Sequence, residues 1–206
     1  MEENPRIGIS GIQLLNEDQE VTKSCSRFCS LSRVIFHSLG IAYFFPRFGM
    51  PMNEWDHKDS REVQQVIGAY FFIRNELFKS LNGFDERFFL FYEEMDLSYR
   101  AHLKGWKSFF ISNLQGLHVG GGTTDSIKST RLFYSLKSSL QYSYKNFNKD
   151  SSFLAFIFTV FVEFLVRSII FSLIKLSLSN LLDTLFAYLD LYRWFWTKLT
   201  FSKYKK

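Results

Sequence analysis

The chain has 206 residues, enough for one good core with an appended element, and 19% of them are aromatic, with 25 phenylalanines. A formal net charge of +5 favours anionic partners as a class (phosphates, acidic lipid or nucleic acid) without selecting one of them. The two cysteines, Cys25 and Cys29, leave no second pair to complete a zinc site, and Met1 is not followed by the basic and apolar stretch of a secretory leader.

The opening "MEENPRIGISGIQLLNEDQE" reads as the end of a helix, a Pro-led turn and an apolar strand over Ile7–Leu15, as expected where part of a fold precedes. From there to about Glu62 the chain is loop-like, with Pro46, Gly49 and Pro51 and no clean period. Residues 66–74, "VIGAYFFIR", are a short apolar run with β-branched and aromatic members and read as a buried strand. Asn75 is placed to cap a short helix, "ELFKSL", which Gly83 stops. A second helix is expected from about Glu93 to Lys104, ended by Gly105, with "WKSFFIS" as the next strand and "LHVGGGTT" as a Gly-rich loop. Strand, helix, helix and strand in that order imply an α/β layered domain.

The character changes near Ser151. Residues 153–174 include 17 apolar side chains among 22, with Glu163 and Arg167 the only charges. That length suffices to cross a hydrocarbon core. Thr159, Glu163 and Arg167 are spaced by four and form one polar stripe on a helix, where Glu163 and Arg167 can pair. The following amphipathic stretch ends in "RWFWTKLTFSKYKK", aromatics and then lysines, a composition suited to a headgroup interface. Helices lying on or dipping into a membrane are the favoured expectation. A true span or hairpin and a soluble helical cap stay open beside it.

Chemistry concentrates in "GFDERFFLFYEEMDLSYRAHLKGW", residues 83–106, which sets Glu93, Glu94 and Asp96 within four positions just after a run of Phe, Leu and Tyr. Carboxylates in the first turn of a helix are favoured by its dipole, and that alone accounts for any one of them. Beside so much apolar surface, desolvation also raises a carboxylate pKa towards the range of a general base. Asp96 and Arg100 stand one turn apart and most simply pair, and Trp106 reads as core.

These pieces carry a resemblance. Gly68-Ala69 with Arg74, Asn82-Gly83-Phe84-Asp85-Glu86, Glu93-Glu94, Asp96-Leu97 with Arg100, Gly105-Trp106 and His118 follow the order and spacing of the C-terminal half of family 2 glycosyltransferases. The match is to the bacterial rhamnosyltransferase-like group and extends more loosely from about Arg6 to Asn148. The resemblance implies the C-terminal portion of a GT-A (nucleotide-diphospho-sugar transferase) fold over residues 1–150, followed by amphipathic, membrane-associated helices over 151–206. It implies inverting transfer of a sugar from a nucleotide-sugar donor to a hydroxyl of a glycan or lipid-linked acceptor, at the cytoplasmic face of a bacterial inner membrane.

By the same resemblance Glu94 is the base, although the family's usual residue there is Asp. Glu93, Gly68, Ala69 and Arg74 would lie against substrate, and His118 would join a Mg²⁺ or Mn²⁺ ion on the diphosphate. The lone His also reads as a surface or core imidazole, Gly68 and Ala69 as sites of close helix–strand packing, and Gly120–Thr124 either as a phosphate cradle or as plain turns. No Asp-x-Asp metal motif occurs in the sequence, so the donor half is expected upstream or on a separate chain. The alternative function is a catalytically inactive, membrane-bound remnant or scaffold module. Nucleic acid is not an expected partner, since the basic residues are spread along the chain without a binding motif.

Overall fold

The computed structural model describes residues 4–119, 128–173 and 178–202, so the Gly120–Thr124 loop lies outside the described residues. Its strands are β1 (Ile7–Leu15), β2 (Cys25–Ser26), β3 (Arg61–Val63), β4 (Gln65–Val66), β5 (Phe72–Ile73) and β6 (Lys107–Leu117). Its helices are α1 (Leu31–Ser38), α2 (Ile41–Phe44), α3 (Asn75–Ser80), α4 (Glu93–Leu103), α5 (Lys128–Asn146), α6 (Lys149–Ile157), α7 (Glu163–Leu173) and α8 (Leu178–Ser202).

Among the described residues one mixed sheet runs β3-β6-β1-β5, with β1 parallel to β6 and antiparallel to β5. β1 has a strand on each side and is buried along most of its length, which is why it reads as a continuous apolar run rather than an alternating one. Its small residues let the covering layer approach. A Cβ on Gly8 would stand 2.4 Å from Leu77 and 2.9 Å from Trp106, so Trp106 does pack on the sheet.

Residues 66–74 are not one strand. β4 ends at Val66, a 3-10 turn takes Gly68–Tyr70, and β5 resumes only at Phe72. The cause is local. The Gly68 N–H turns out of the ladder to donate to Glu94 Oε1 at 3.1 Å. Asn75 is the first helical residue of α3 rather than its cap, which falls on Arg74 without a side-chain bond. The loop-like stretch before Glu62 contains α1, α2 and a 3-10 turn at Pro46–Phe48. Cys25 and Cys29 are buried free thiols, both pushed up to about 12 by burial, as expected of inert cysteines.

α6, a π-helical turn at Phe158–Val162 and α7 follow one another without a break. Asn148 caps α6 by accepting from the Ser151 N–H at 2.9 Å. The π turn has a partner: Tyr188 on α8 donates its hydroxyl to the Thr159 carbonyl at 2.9 Å, the kind of inserted contact that widens a helical turn. The polar stripe faces protein. Thr159 and Glu163 are buried, Arg167 donates to Glu163 at 2.7 Å, and His37 of α1 stands 3.5 Å from the same oxygen. Phe153, Phe161, Leu165 and Ile169 are exposed on the other side. One helix among the described residues, Lys149–Ile170, is long and apolar enough to cross a membrane.

Candidate active site

The site forms where α4 begins. Phe91 and Tyr92 have φ of 66° and 69°, two consecutive non-glycine residues in the left-handed region, where side chains are disfavoured. This kink ends the "FFLFY" run and aims the first turn of α4 at the 68–70 turn. The chain is held there from two sides: the Tyr92 hydroxyl stands 3.6 Å from Met50 Sδ, and its ring lies 5.5 Å from that of Tyr142 on α5.

The three carboxylates then part company. Asp96 points into the protein and is fully buried. It accepts from Arg100 Nε at 2.7 Å and from Lys145 Nζ of α5 at 2.6 Å. Lys145 also donates to Asp85 at 2.7 Å, and Arg100 donates to the Leu81 and Gly83 carbonyls. Hydrogen bonds from Arg87 first, and then Lys145, hold the Asp85 carboxyl well below the usual carboxylate range. The expected Asp96–Arg100 pair is thus part of a clamp that fastens residues 81–87 to α4 and α5.

Glu93 and Glu94 turn the other way and line a cavity of about 510 Å³ with Gly68, Phe71, Ile73, Phe78 and Phe84. Glu94 is anchored through Oε1 to the Gly68 N–H. The room at Gly68 is what admits it, since a Cβ there would stand 3.2 Å from that oxygen. Oε2 of Glu93 and Oε2 of Glu94 are both buried and without a hydrogen-bond partner. Burial, and then the neighbouring Glu94 carboxylate, push Glu93 up to about 7. Burial beside a second carboxylate favours the protonated, donating form of Glu93. A second carboxylate beside it in a half-enclosed apolar pocket is suited to accepting a proton.

The other sequence-identified residues are spread around this pair. Ala69 is next to Gly68 but exposed and outside the cavity lining. Arg74 donates through Nε to the Ile7 carbonyl at 2.8 Å and reaches the Asn4 carbonyl at 3.4 Å, tying down the start of β1. His118 lies at the other end of that strand, where its N–H donates to the Leu15 carbonyl at 2.8 Å. It is two positions beyond Gly116, on which the Tyr70 ring rests. Among the described residues no three His, Cys, Asp or Glu side chains converge to hold a metal ion. The described residues by themselves complete no divalent-ion site. Sequence reasoning missed the walls Phe71, Phe78 and Phe84, as well as Lys145. The phenylalanines carry no signal in a chain so rich in them, and Lys145 acts across 49 residues.

No family model matches the chain. It is 30% identical over 122 residues, 55% of its own length, to the N-acetylglucosaminyl-diphospho-decaprenol L-rhamnosyltransferase of Mycobacterium tuberculosis, covering 38% of that protein. It is 28% identical over 97 residues, 44% of its length, to the rhamnosyltransferase WbbL of Escherichia coli K12, covering 37% of that protein. The chain thus spans a little over a third of the length of the curated relatives it matches, and those relatives are rhamnosyltransferases.

Proposed function

We propose that this chain supplies the acceptor and base side of an inverting glycosyltransferase of GT-A architecture. The enzyme moves a sugar, rhamnose by analogy with its relatives, from a nucleotide donor to a hydroxyl of a lipid-linked or cell-envelope glycan. The observation that carries the reading is the Glu93–Glu94 pair, one member anchored by a backbone N–H and both facing a cavity with aromatic walls. Phe71, Phe78 and Phe84 offer ring faces suited to the apolar faces of a sugar.

In this mechanism the acceptor lies in the cavity with its hydroxyl on Glu94. As the acceptor oxygen bonds to the anomeric carbon of the donor sugar, its proton passes to the Glu94 carboxylate. The bond from that carbon to the nucleoside diphosphate breaks, and the diphosphate leaves with the electron pair. Attack from the face opposite the leaving group inverts the anomeric centre. Glu93 is a positioning residue that shares its proton with Glu94 and sets the pH at which the pair accepts another. Donor and any metal ion are assigned to groups other than the described residues. The membrane-associated location, at the cytoplasmic face of the inner membrane, is supported by the apolar Lys149–Ile170 helix and by the lipid-linked substrate in the mycobacterial relative's name.

The test is transfer from nucleotide-activated rhamnose to a polyprenyl-diphosphate-linked acceptor, with Glu94→Gln compared against the unaltered protein in membranes. Loss of a general base predicts a fall in rate of about 100-fold or more with acceptor binding retained. Full activity in Glu94→Gln would overturn the assignment of the base.

A further inference from the structure

We propose that residues 39–48 form a second membrane contact, an aromatic hook that enters the headgroup layer of an anionic bilayer beside the α6–α7 helix; this deepens the membrane-associated part of the reading above and rests on it. Tyr43, Phe44 and Phe45 are 79%, 70% and 58% exposed, three consecutive aromatic residues turned to solvent. Leu39 and Phe48 are exposed beside them. Contiguous apolar surface of this kind marks an interaction site rather than ordinary surface scatter.

The rings are presented by a built scaffold. Gly40, with φ of +73°, makes the elbow between α1 and α2, and Pro46 opens the 3-10 turn that brings Phe48 back. The Phe48 ring packs 5.1 Å from Phe36 and 6.3 Å from Phe45, so the far side of the hook is filled and the near side is displayed.

Charge points to an anionic bilayer as the occupant. From Val21 to Asn53 the chain has no acidic residue, while it carries Lys23, Arg27, Arg33 and Arg47. Arg27 pairs with Glu54, whose carboxylate is also within electrostatic reach of Arg47; the Arg47 side chain is exposed between Phe45 and Phe48, at the depth where lipid phosphates would lie if those rings were inserted.

Continuity gives the same answer. A Cβ on Gly40 would touch Val166 and Ile170 of α7 at 3.6 and 3.7 Å. The residues one position before these two, Leu165 and Ile169, belong to the exposed apolar stripe of that helix. Hook and stripe are therefore neighbours. The hook is also coupled to the site, because Met50, just beyond Phe48, meets Tyr92, the residue before Glu93. A bilayer that grips the hook would fix the height of the acid pair above the lipid.

The experiment labels the full chain at Phe44→Cys with the fluorophore NBD, which Cys25 and Cys29 do not compete for because both are buried. It is mixed with vesicles of phosphatidylglycerol and phosphatidylethanolamine, or of phosphatidylcholine alone. The proposal expects a blue shift and a several-fold rise in emission on the anionic vesicles, and a weaker response on phosphatidylcholine. The double variant Phe44→Ser/Phe45→Ser, altered only at exposed positions, is expected to co-sediment with anionic vesicles about tenfold more weakly. Vesicle binding with an unchanged NBD signal overturns the hook and leaves the membrane reading on the C-terminal helices. Absence of any vesicle binding overturns both. Self-association without lipid that the double variant abolishes would reassign the face to a contact between copies.

Discussion

Glu93 decides how the acid pair behaves with pH. Its carboxyl is raised from 4.5 to about 7, first by burial and then by Glu94. A carboxyl raised on folding favours the protonated native state, so its contribution is fully present below about pH 4.5 and is lost as pH rises through 7. Glu93→Gln keeps the shape and removes the titration. The substituted protein is expected to gain on the parent by roughly 1–3 kcal/mol between pH 5 and pH 8, as read from urea unfolding at several pH values. Parallel stability profiles for the two proteins would show that the carboxyls do not share a proton. Part of this was legible in the sequence. Two adjacent glutamates after "FFLFY" announce desolvation, and Asp96 with Arg100 announces a pair. The sequence does not tell Asp96, sealed in the clamp, from its neighbours at the cavity, because that depends on which way α4 is rotated by Tyr92 and Lys145.

At the scale of elements, α4 is the best-read part of the fold, since acidic residues open it and Gly105, at φ of +83°, ends it. β1 is equally plain as an apolar run; β6 is legible only through "WKSFFIS" and runs on to Leu117, and the break in residues 66–74 is not legible at all. An apolar run gives no notice that one of its N–H groups will bond a carboxylate 26 residues further on. The π turn is hidden for the same reason, its cause being a tyrosine 29 residues away. What fastens α4 to the rest is the clamp. Removing Lys145 leaves the fully buried Asp96 with Arg100 alone and frees Asp85 from α5. Lys145→Met is expected to cost about 3–5 kcal/mol in chemical denaturation, the range for breaking a buried ion pair from one side. Asp85→Asn, at a partly exposed end of the network, should cost clearly less. Equal losses in the two variants would mean that the clamp is not centred on Asp96.

Over the whole molecule, α5 joins layers that the sequence presents as separate zones. Its Tyr142 packs with Phe28, Val34, Met95 and Ala155, beneath the site, while its Leu136 and Leu140 pack with Val160, Tyr188 and Leu191 of the C-terminal helices. The sheet keeps a different core around Ile9, Val66, Leu97 and Phe110. Composition alone marks a change of character near Ser151, but side chains on one helix carry both neighbouring cores, so loosening should spread by core and not by position along the chain. Leu136→Ala removes a nearly buried side chain from the C-terminal core alone, at a cost of about 2–4 kcal/mol. Hydrogen exchange is then expected to accelerate along α7 and α8, with β1 and β6 keeping their protection, because sub-global opening follows cooperative packing units. Transfer activity should fall little in that variant, since the clamp and the acid pair rest on the other two cores. If protection is lost equally in the sheet, the three cores open as one unit, and the C-terminal helices are integral to the layer that carries the acid pair instead of appended to it.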